Sequence, residues 1–281
     1  MKRSLEIETK QSIAKKMKMK INYPPLDGGI PLSTLVGYIG ADNAVEIILD
    51  YFNELCPLLY YAHEELKNDK EFVLCAVKCG RHDSLKYASG EYRNDRDVVL
   101  TAIEHNPIAL QYASAHLQND KEFIEVAVTK HSHVFPHIKL EFRSDKDITW
   151  AAVKTQGSLL QYAGDDMKND SDIVLKAISN AEYAFRYASD ELKNDRGFIL
   201  KSVAISKSVF KCINEKFRGD KEIALEAMKL NGGSLAFASD DMKNDRDVVF
   251  AAMEQDVNSF AFIGKELLSD VDFLLSLQNK K

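Results

Sequence analysis

Glycine and proline are scarce in this chain, which has 13 glycines and 6 prolines among its 281 residues. A sandwich of many short strands needs these residues at its turns, so their scarcity favours helices. The chain also lacks any run of about 18 apolar residues that could span a membrane. Its first 20 residues contain no apolar segment typical of a secretory signal. We therefore expect a helical protein without a transmembrane segment.

Cysteine is also rare. Four cysteines in a chain of this length do not make a disulfide framework, and reduced thiols are the simplest interpretation. We therefore expect an intracellular, reducing compartment, with the cytoplasm as the first choice. The four residues are Cys56, Cys75, Cys79 and Cys212.

The signature motifs of several large enzyme classes are missing as well. There is no glycine-rich phosphate loop ending in Gly-Lys-Ser/Thr, no Gly-x-Ser-x-Gly and no His-Glu-x-x-His. Ser-x-x-Lys occurs at Ser12 and Ser208, but its companion motifs are absent from the sequence. We expect no enzymatic activity, no catalytic residues and no cofactor.

Charge is distributed unevenly along the chain. Residues 1–20 hold seven Lys or Arg against two Glu, a balance of +5, whereas the whole chain has a net charge of −6 and the remainder therefore −11. An acidic body repels phosphate backbones, so nucleic acid is not expected as the partner of the main domain. The basic leader leaves open an alternative function, that of a nucleic-acid or membrane adaptor.

The dominant feature of the sequence is an internal repeat. An aspartate recurs every 25 residues after a first spacing of 26, and the text Leu-Lys-Asn-Asp at residues 66–69 returns at 192–195. A fixed period of this length indicates a solenoid. The repeated aspartates are Asp69, Asp95, Asp120, Asp145, Asp170, Asp195, Asp220, Asp245 and Asp270.

Each repeat predicts two helices. With the aspartate as position 1, apolar residues occupy positions 4, 5, 8 and 9 and then 16, 19 and 23, the spacing of helical faces. The aspartate suits the N-cap of the first helix. Position 25 is Asn or Gly in six of the eight complete units, which favours left-handed geometry after the second helix. We predict an all-α solenoid of about nine two-helix repeats, each helix roughly ten residues long.

The repeat also predicts the domain organisation. Residues 1–20 are a basic flexible leader, and residues 21–41 are a linker or lead-in. Residues 42–281 are the α-helical repeat domain, which has a degenerate opening unit at 42–68, eight complete units at 69–269 and a closing half-unit at 270–281. Atypical end units shield the open faces of a solenoid.

The repeated text resembles a known family. Leu-x-Tyr-Ala-Ser-x-x-Leu-Lys-Asn-Asp followed by Val-x-x-Ala-Val stands, with local substitutions, at residues 87–99, 110–128 and 187–203. It resembles the tandem-repeat family catalogued as domain of unknown function 4116, over residues 42–275. The resemblance implies no enzymatic activity, because none is established for the family. Departures concentrate at residues 131–138, in the unit starting at Asp120, and at residues 211–214.

The divergent unit contains the best metal candidate. His131, His133 and His137 could converge on Zn²⁺ if the turn between the helices folds back. Pro136 interrupts that turn and no Cys or acidic ligand lies in it, so we expect a polar turn and no metal site. The alternative is a metal-dependent effector or enzyme-like protein centred on His131–His137.

Two columns of the repeat could bind a partner. Position 18 is aromatic in seven of nine aligned units, and position 17 beside it varies freely. Variable residues beside a constant aromatic suit a recognition surface, although a structural tyrosine ladder would give the same pattern. We expect a monomeric scaffold that binds a protein or peptide of unidentified nature through its central units. The candidate residues are Tyr162, Tyr187, Gln161, Arg186 and Lys211.

Overall fold

The computed structural model describes residues 58–62, 64–79 and 83–278. The predicted leader, the lead-in and most of the opening unit therefore lie outside the described residues. The chain divides into two units, residues 1–139 and residues 140–281. In both units the described residues build an all-α solenoid with a 25-residue period and no β-strand. None of the described helices has the length and apolar composition that crossing a bilayer requires.

Each repeat contains three helical elements: an A helix, a 3-10 segment and a one-turn α-helix. In the first unit the A helices are Lys70–Cys79, Arg96–His105 and Lys121–Lys130; the 3-10 segments are Ser84–Tyr87, Pro107–Tyr112 and Ser132–His137; and the one-turn helices are Leu58–Tyr61, Glu64–Lys67, Gly90–Arg93 and Ala115–Gln118.

The second unit repeats the same order. Its A helices are Lys146–Thr155, Ser171–Asn180, Arg196–Ile205, Lys221–Leu230, Arg246–Gln255 and Val271–Gln278; its 3-10 segments are Gly157–Tyr162, Glu182–Tyr187, Phe210–Cys212, Gly232–Phe237 and Val257–Phe262; and its one-turn helices are Leu140–Arg143, Asp165–Lys168, Asp190–Asn194, Glu215–Arg218, Asp240–Lys243 and Lys265–Leu268.

The A helices begin as the sequence predicts. Asp170 accepts hydrogen bonds from the backbone amides of Asp172 and Ile173, at 3.0 and 3.1 Å, and so satisfies two amides of the first turn. The repeated aspartate is the N-cap of the A helix at Asp95, Asp120, Asp145, Asp170, Asp195, Asp220 and Asp245.

The second predicted helix is divided into two elements, because position 19 leaves helical geometry. Ala163 at this position is extended, with φ −64° and ψ 156°. The next amide, that of Gly164, then donates to the carbonyl oxygen of Arg143 in the preceding repeat, at 2.9 Å. This backbone bond between repeats recurs at Ser114–Arg93, Ser189–Lys168, Ser239–Arg218 and Gly264–Lys243.

The prediction of left-handed geometry at position 25 is wrong. Asn94, Asn119 and Asn244 have φ of −105°, −108° and −101°, in the right-handed region. Right-handed geometry lets the Asn244 amide close the last turn onto the carbonyl oxygen of Asp240, at 3.1 Å. The Asn244 side chain meanwhile accepts from the backbone amide of Leu267 in the next repeat, at 3.2 Å. Asparagine therefore connects repeats here instead of reversing the chain.

The predicted apolar positions form the core. Ile173, Val174, Ala177 and Ile178, at positions 4, 5, 8 and 9, are all buried. Consecutive A helices pack together within each unit, and most of them also pack on the 3-10 segment that follows. Packing is close enough that a Cβ on Gly157 would lie 2.1 Å from the Ala177 carbonyl oxygen. Gly157 therefore has no room for a side chain, and the same holds for Gly232 against Ala252. Other repeats differ locally, since larger residues such as Glu182 and Val257 occupy this position.

A ladder of ion pairs also joins consecutive repeats. The cation at position 2 contacts the aspartate cap of the next repeat, as Lys146 contacts Asp170 at 2.7 Å. The ladder skips the cap Asp195, because Ser171 stands where the cation for it would be. The other pairs at this place among the described residues are Lys70–Asp95, Arg96–Asp120, Arg196–Asp220, Lys221–Asp245 and Arg246–Asp270.

The two divergent repeats, starting at Asp120 and Asp195, keep the order of elements. Each replaces the usual alanine at position 19 with a buried isoleucine. Each also has arginine at position 24, and Arg143 and Arg218 donate to the carbonyl oxygens of Tyr162 and Phe237 in the next repeat, at 2.7 and 3.3 Å. The substitutions therefore change the surface and the connections and leave the fold intact.

Candidate binding surface

The outer edge of the 3-10 segments carries the candidate binding residues. Each segment is anchored from below by a large apolar side chain at position 16, such as Leu160, Phe185 or Phe210, all buried. With three residues per turn, positions 14 and 17 of a 3-10 helix lie on one edge. Fixing position 16 in the core therefore turns position 17 towards the surface, and with it Tyr183 at position 14, whereas Ser158 at position 14 of the preceding repeat is buried.

The structure places the predicted residues on three consecutive 3-10 segments of the second unit. Arg186 and Lys211 are exposed, Tyr162 is 40% exposed, and Gln161 and Tyr187 are half-buried. The first two segments, Gly157–Tyr162 and Glu182–Tyr187, pack against each other. Tyr162 and Tyr187 nevertheless make no ring contact with each other in the described part of the chain, so the aromatic column is not continuously stacked here.

A cleft of about 260 Å³ separates the second segment from the third. Its rim is basic, because Arg186 and Lys193 both line it. The Lys193 ammonium donates to the Arg186 carbonyl oxygen at 2.8 Å and lies 3.9 Å from Asp190. These contacts hold the lysine chain along the cleft. The remaining lining residues are Phe185, Cys212, Ile213 and Asn214.

Tyr183 is a surface residue that the sequence analysis missed. It occupies position 14 and is 53% exposed. The Arg186 guanidinium lies over its ring, 5.9 Å from the centroid, at the reach of a cation–π interaction. The shared edge of positions 14 and 17 explains the pairing, and a three-residue period would have been the signal for it.

The tyrosines at position 18 have an apolar ring and a hydroxyl that reaches polar groups. The Tyr112 hydroxyl donates to the Asp83 carboxylate at 2.6 Å, and this hydrogen bond raises the tyrosine pKa. Tyr60, one residue from the opening unit's aromatic position, meets Tyr87 edge to face at 5.1 Å between ring centroids. Some members of the column are thus held by structural contacts, while Tyr162, Phe237 and Phe262 remain substantially exposed.

The three histidines of the divergent unit lie at the start and along the 3-10 segment Ser132–His137. His131 is half-buried at the end of the A helix, while His133 and His137 are exposed. Desolvation by neighbouring atoms lowers the pKa of His137, which favours its neutral form. Among the described residues, no three His, Cys, Asp or Glu side chains are grouped as metal ligands, and these histidines are no exception.

A family model described as a domain of unknown function, DUF4116, matches the chain at six places. Several matches begin at a capping aspartate and span two consecutive repeats, so one copy of the family domain corresponds to a pair of 25-residue units. No curated protein and no solved structure matches the chain significantly. The matched residues are 45–93, 78–118, 95–143, 145–193, 170–218 and 220–268.

Proposed function

Because this chain belongs to the DUF4116 family of tandem helical repeats, we propose that it is a non-enzymatic scaffold that binds a protein or peptide. The binding surface is the outer edge of the 3-10 segments in the second unit, between Gln161 and Lys211. The observation that carries the proposal is the basic, aromatic patch on this edge, where Arg186 lies over the exposed ring of Tyr183.

The composition of the patch supports a protein partner. Interface energy concentrates in tyrosine and arginine side chains that become buried on binding. Tyr162 and Tyr183 offer exposed rings, and Arg186 and Lys211 offer exposed cations next to a cleft. Residues 21–281 carry a net charge of −11, which disfavours the phosphate backbone of a nucleic acid.

The surrounding scaffold supports a monomeric, intracellular role within the same proposal. The apolar core of each repeat is buried by the neighbouring repeats, so a stable fold does not require a second copy of the chain. Cys212 lies exposed beside the basic rim as a free thiol, a state that a reducing compartment maintains.

The test is comparative capture on the protein and its patch variant. Arg186→Ala combined with Lys211→Ala should leave the circular dichroism spectrum and the melting temperature unchanged, because exposed charges contribute little to stability. A partner captured by the wild-type chain from native lysate, and identified by mass spectrometry, should then bind the double variant at least about tenfold more weakly.

Lys86→Ala is the matched control. Lys86 also occupies position 17 and is exposed, but it lies in the first unit, with its ammonium 5.5 Å from the centre of the Tyr87 ring. This variant should bind the captured partner as the wild-type chain does. Equal binding by all three proteins would refute the assignment of the patch.

A further inference from the structure

The A helices of the second unit carry a column of apolar side chains that is only partly buried. Position 6 is Leu or a larger apolar residue in every one of these helices, although positions 4, 5, 8 and 9 already fill the core. The side chains at position 6 are half-buried or exposed. They are Trp150, Leu175, Leu200, Leu225, Phe250 and Leu275.

The column opens into a groove at the A helices that start the repeats at Asp145, Asp170 and Asp195. The groove has a volume of about 580 Å³, and Trp150, Leu175 and Ile205 form its apolar lining. Trp150 and Ile205 are 39% and 43% exposed. Large side chains at this level of exposure are what a partner's apolar side chain would cover.

The lining of the groove includes two lysines and two aspartates, and two further lysines, Lys154 and Lys201, lie one helical turn from Trp150 and Ile205. Lys154, Lys176 and Lys201 have no carboxylate at ion-pair distance among the described residues, whereas Lys146 on the same rim is paired with Asp170 and Asp172. The helical neighbours explain this difference.

The residue one turn before Lys154 is Trp150, and the residue one turn before Lys201 is Gly197, so neither lysine has the (i, i+4) acid that commonly pairs with it. Lys176 does have Asp172 one turn before it, but the Asp172 carboxylate lies 3.8 Å from the Lys146 ammonium. Lys176 and Lys201 also occupy the same position of consecutive repeats. Their charges therefore repel, which a negatively charged ligand would relieve.

We propose that this groove binds an acidic peptide segment of a partner protein, with a large apolar side chain seated against Trp150 and carboxylates facing Lys154, Lys176 and Lys201. The surface lies on the A helices and is independent of the patch on the 3-10 segments. A peptide fits better than an anionic membrane, because Asp147 and Asp172 lie on the same rim and a flat anionic surface would have to cover them together with the lysines.

Trp150 makes the proposal directly testable, because it is the single tryptophan of the chain and lies in the groove. The probe is a tryptophan-free synthetic peptide in which Asp and Glu alternate with Leu and Phe. Titration into the full chain should shift and saturate the Trp150 emission. Salt at about 1 M, where the Debye length is about 3 Å, should weaken that binding.

The variant Lys176→Glu combined with Lys201→Glu should bind this peptide at least about tenfold more weakly, since it reverses the charges that face the ligand. Lys78→Glu combined with Lys130→Glu is the matched control, because both lysines are exposed on A helices of the first unit. It should bind as the wild-type chain does. Lys176→Gln combined with Lys201→Gln, which removes the charges without reversing them, should bind the peptide with an affinity between those of the wild-type chain and the Glu double variant. Circular dichroism of both double variants should show that they remain folded.

Three results would overturn the proposal. The first is no change in Trp150 emission with the acidic peptide. The second is an equal response to a peptide in which lysine replaces every acid, because the lysines would then not select the ligand. The third is a response to phosphatidylserine vesicles without any response to the peptide, which would make the groove a membrane contact.

Discussion

The missing ion pair at Asp195 allows the contribution of the ladder to stability to be measured within the chain itself. Asp170 caps its helix through two backbone amides and also contacts Lys146 of the preceding repeat. Asp195 caps the next A helix through the Phe198 amide, at 2.6 Å, and has Ser171 where that lysine would be. Asp170→Ala therefore removes a cap and an ion pair, whereas Asp195→Ala removes a cap alone.

The expected magnitudes follow from these contacts. Asp195→Ala should lower the free energy of unfolding by about 0.5–2 kcal/mol, the usual range for a lost N-cap. Asp170→Ala should lower it by up to about 1 kcal/mol more, because a partly exposed ion pair is lost as well. The difference should shrink in salt of about 1 M, whereas the effect of the cap itself should persist.

The reverse substitution completes the design. Ser171→Lys supplies the missing cation and should stabilise the wild-type chain, but not the Asp195→Ala variant. The wild-type chain, the two single variants and the double variant together form a double-mutant cycle. Urea unfolding would be followed by far-UV circular dichroism and by Trp150 fluorescence, since agreement between the probes shows that one transition is measured. If Ser171→Lys stabilises both backgrounds equally, the ladder is not what joins these repeats.

Two further perturbations test the packing and the charges. Gly157→Ala should destabilise the protein by about 1–3 kcal/mol, because the added Cβ would lie 2.1 Å from a backbone oxygen. Gly90→Ala, where a Cβ would meet nothing within 4 Å, should be neutral or stabilising by up to about 1 kcal/mol. Equal melting temperatures of the two variants would contradict the close packing at Gly157. The pKa of Asp220 is lowered, chiefly by a hydrogen bond from an arginine of the preceding repeat, so its stabilising effect is complete above the unfolded pKa of about 3.9 and is lost as the pH falls through the lower folded value. The pKa of Lys221 is raised by hydrogen bonds to Asp247 and then Asp245, so its effect is complete below about pH 10.4 and is lost as the pH rises through the higher folded value. The urea midpoint should therefore be flat between about pH 5 and 9.5 and fall on both sides; a maximum at acidic pH would contradict these signs.

The fold could be predicted largely because its signals are local and repeated. The aspartates recur nine times at a nearly constant spacing, together with the apolar positions of the A helix, so each copy supports the others. The division of the second helix could not be predicted in this way. Apolar residues at i and i+3 fit both a 3-10 helix and an α-helix. The second helix is divided where a backbone amide bonds to the preceding repeat, as the Gly164 amide does to the Arg143 carbonyl oxygen. Side chains take no part in this hydrogen bond.

The candidate surfaces depend on information that the pattern does not contain. The variable column at position 17 could be found from the sequence, but the contact between Arg186 and Tyr183 requires the 3-10 geometry. The groove beside Trp150 was missed because apolar residues at position 6 look like core residues in a sequence. Whether a lysine is paired, as Lys146 is and Lys176 is not, depends on the neighbouring repeat and on the exact rotation of its helix.

The contacts between repeats have a consequence for how the chain reaches its structure. Within each unit the ion pairs between repeats join residues 24 to 27 apart in the chain, as for Arg196 with Asp220 and Glu222. A separation of about 25 residues divided by the chain length of 281 residues is about 0.09. This value lies in the range of relative contact order found for fast-folding helical proteins. Little loop entropy opposes any single contact, and each repeat finds its partners in the repeat synthesised just before it. Ordered structure can therefore extend along the nascent chain one repeat at a time, without waiting for a distant segment to emerge from the ribosome.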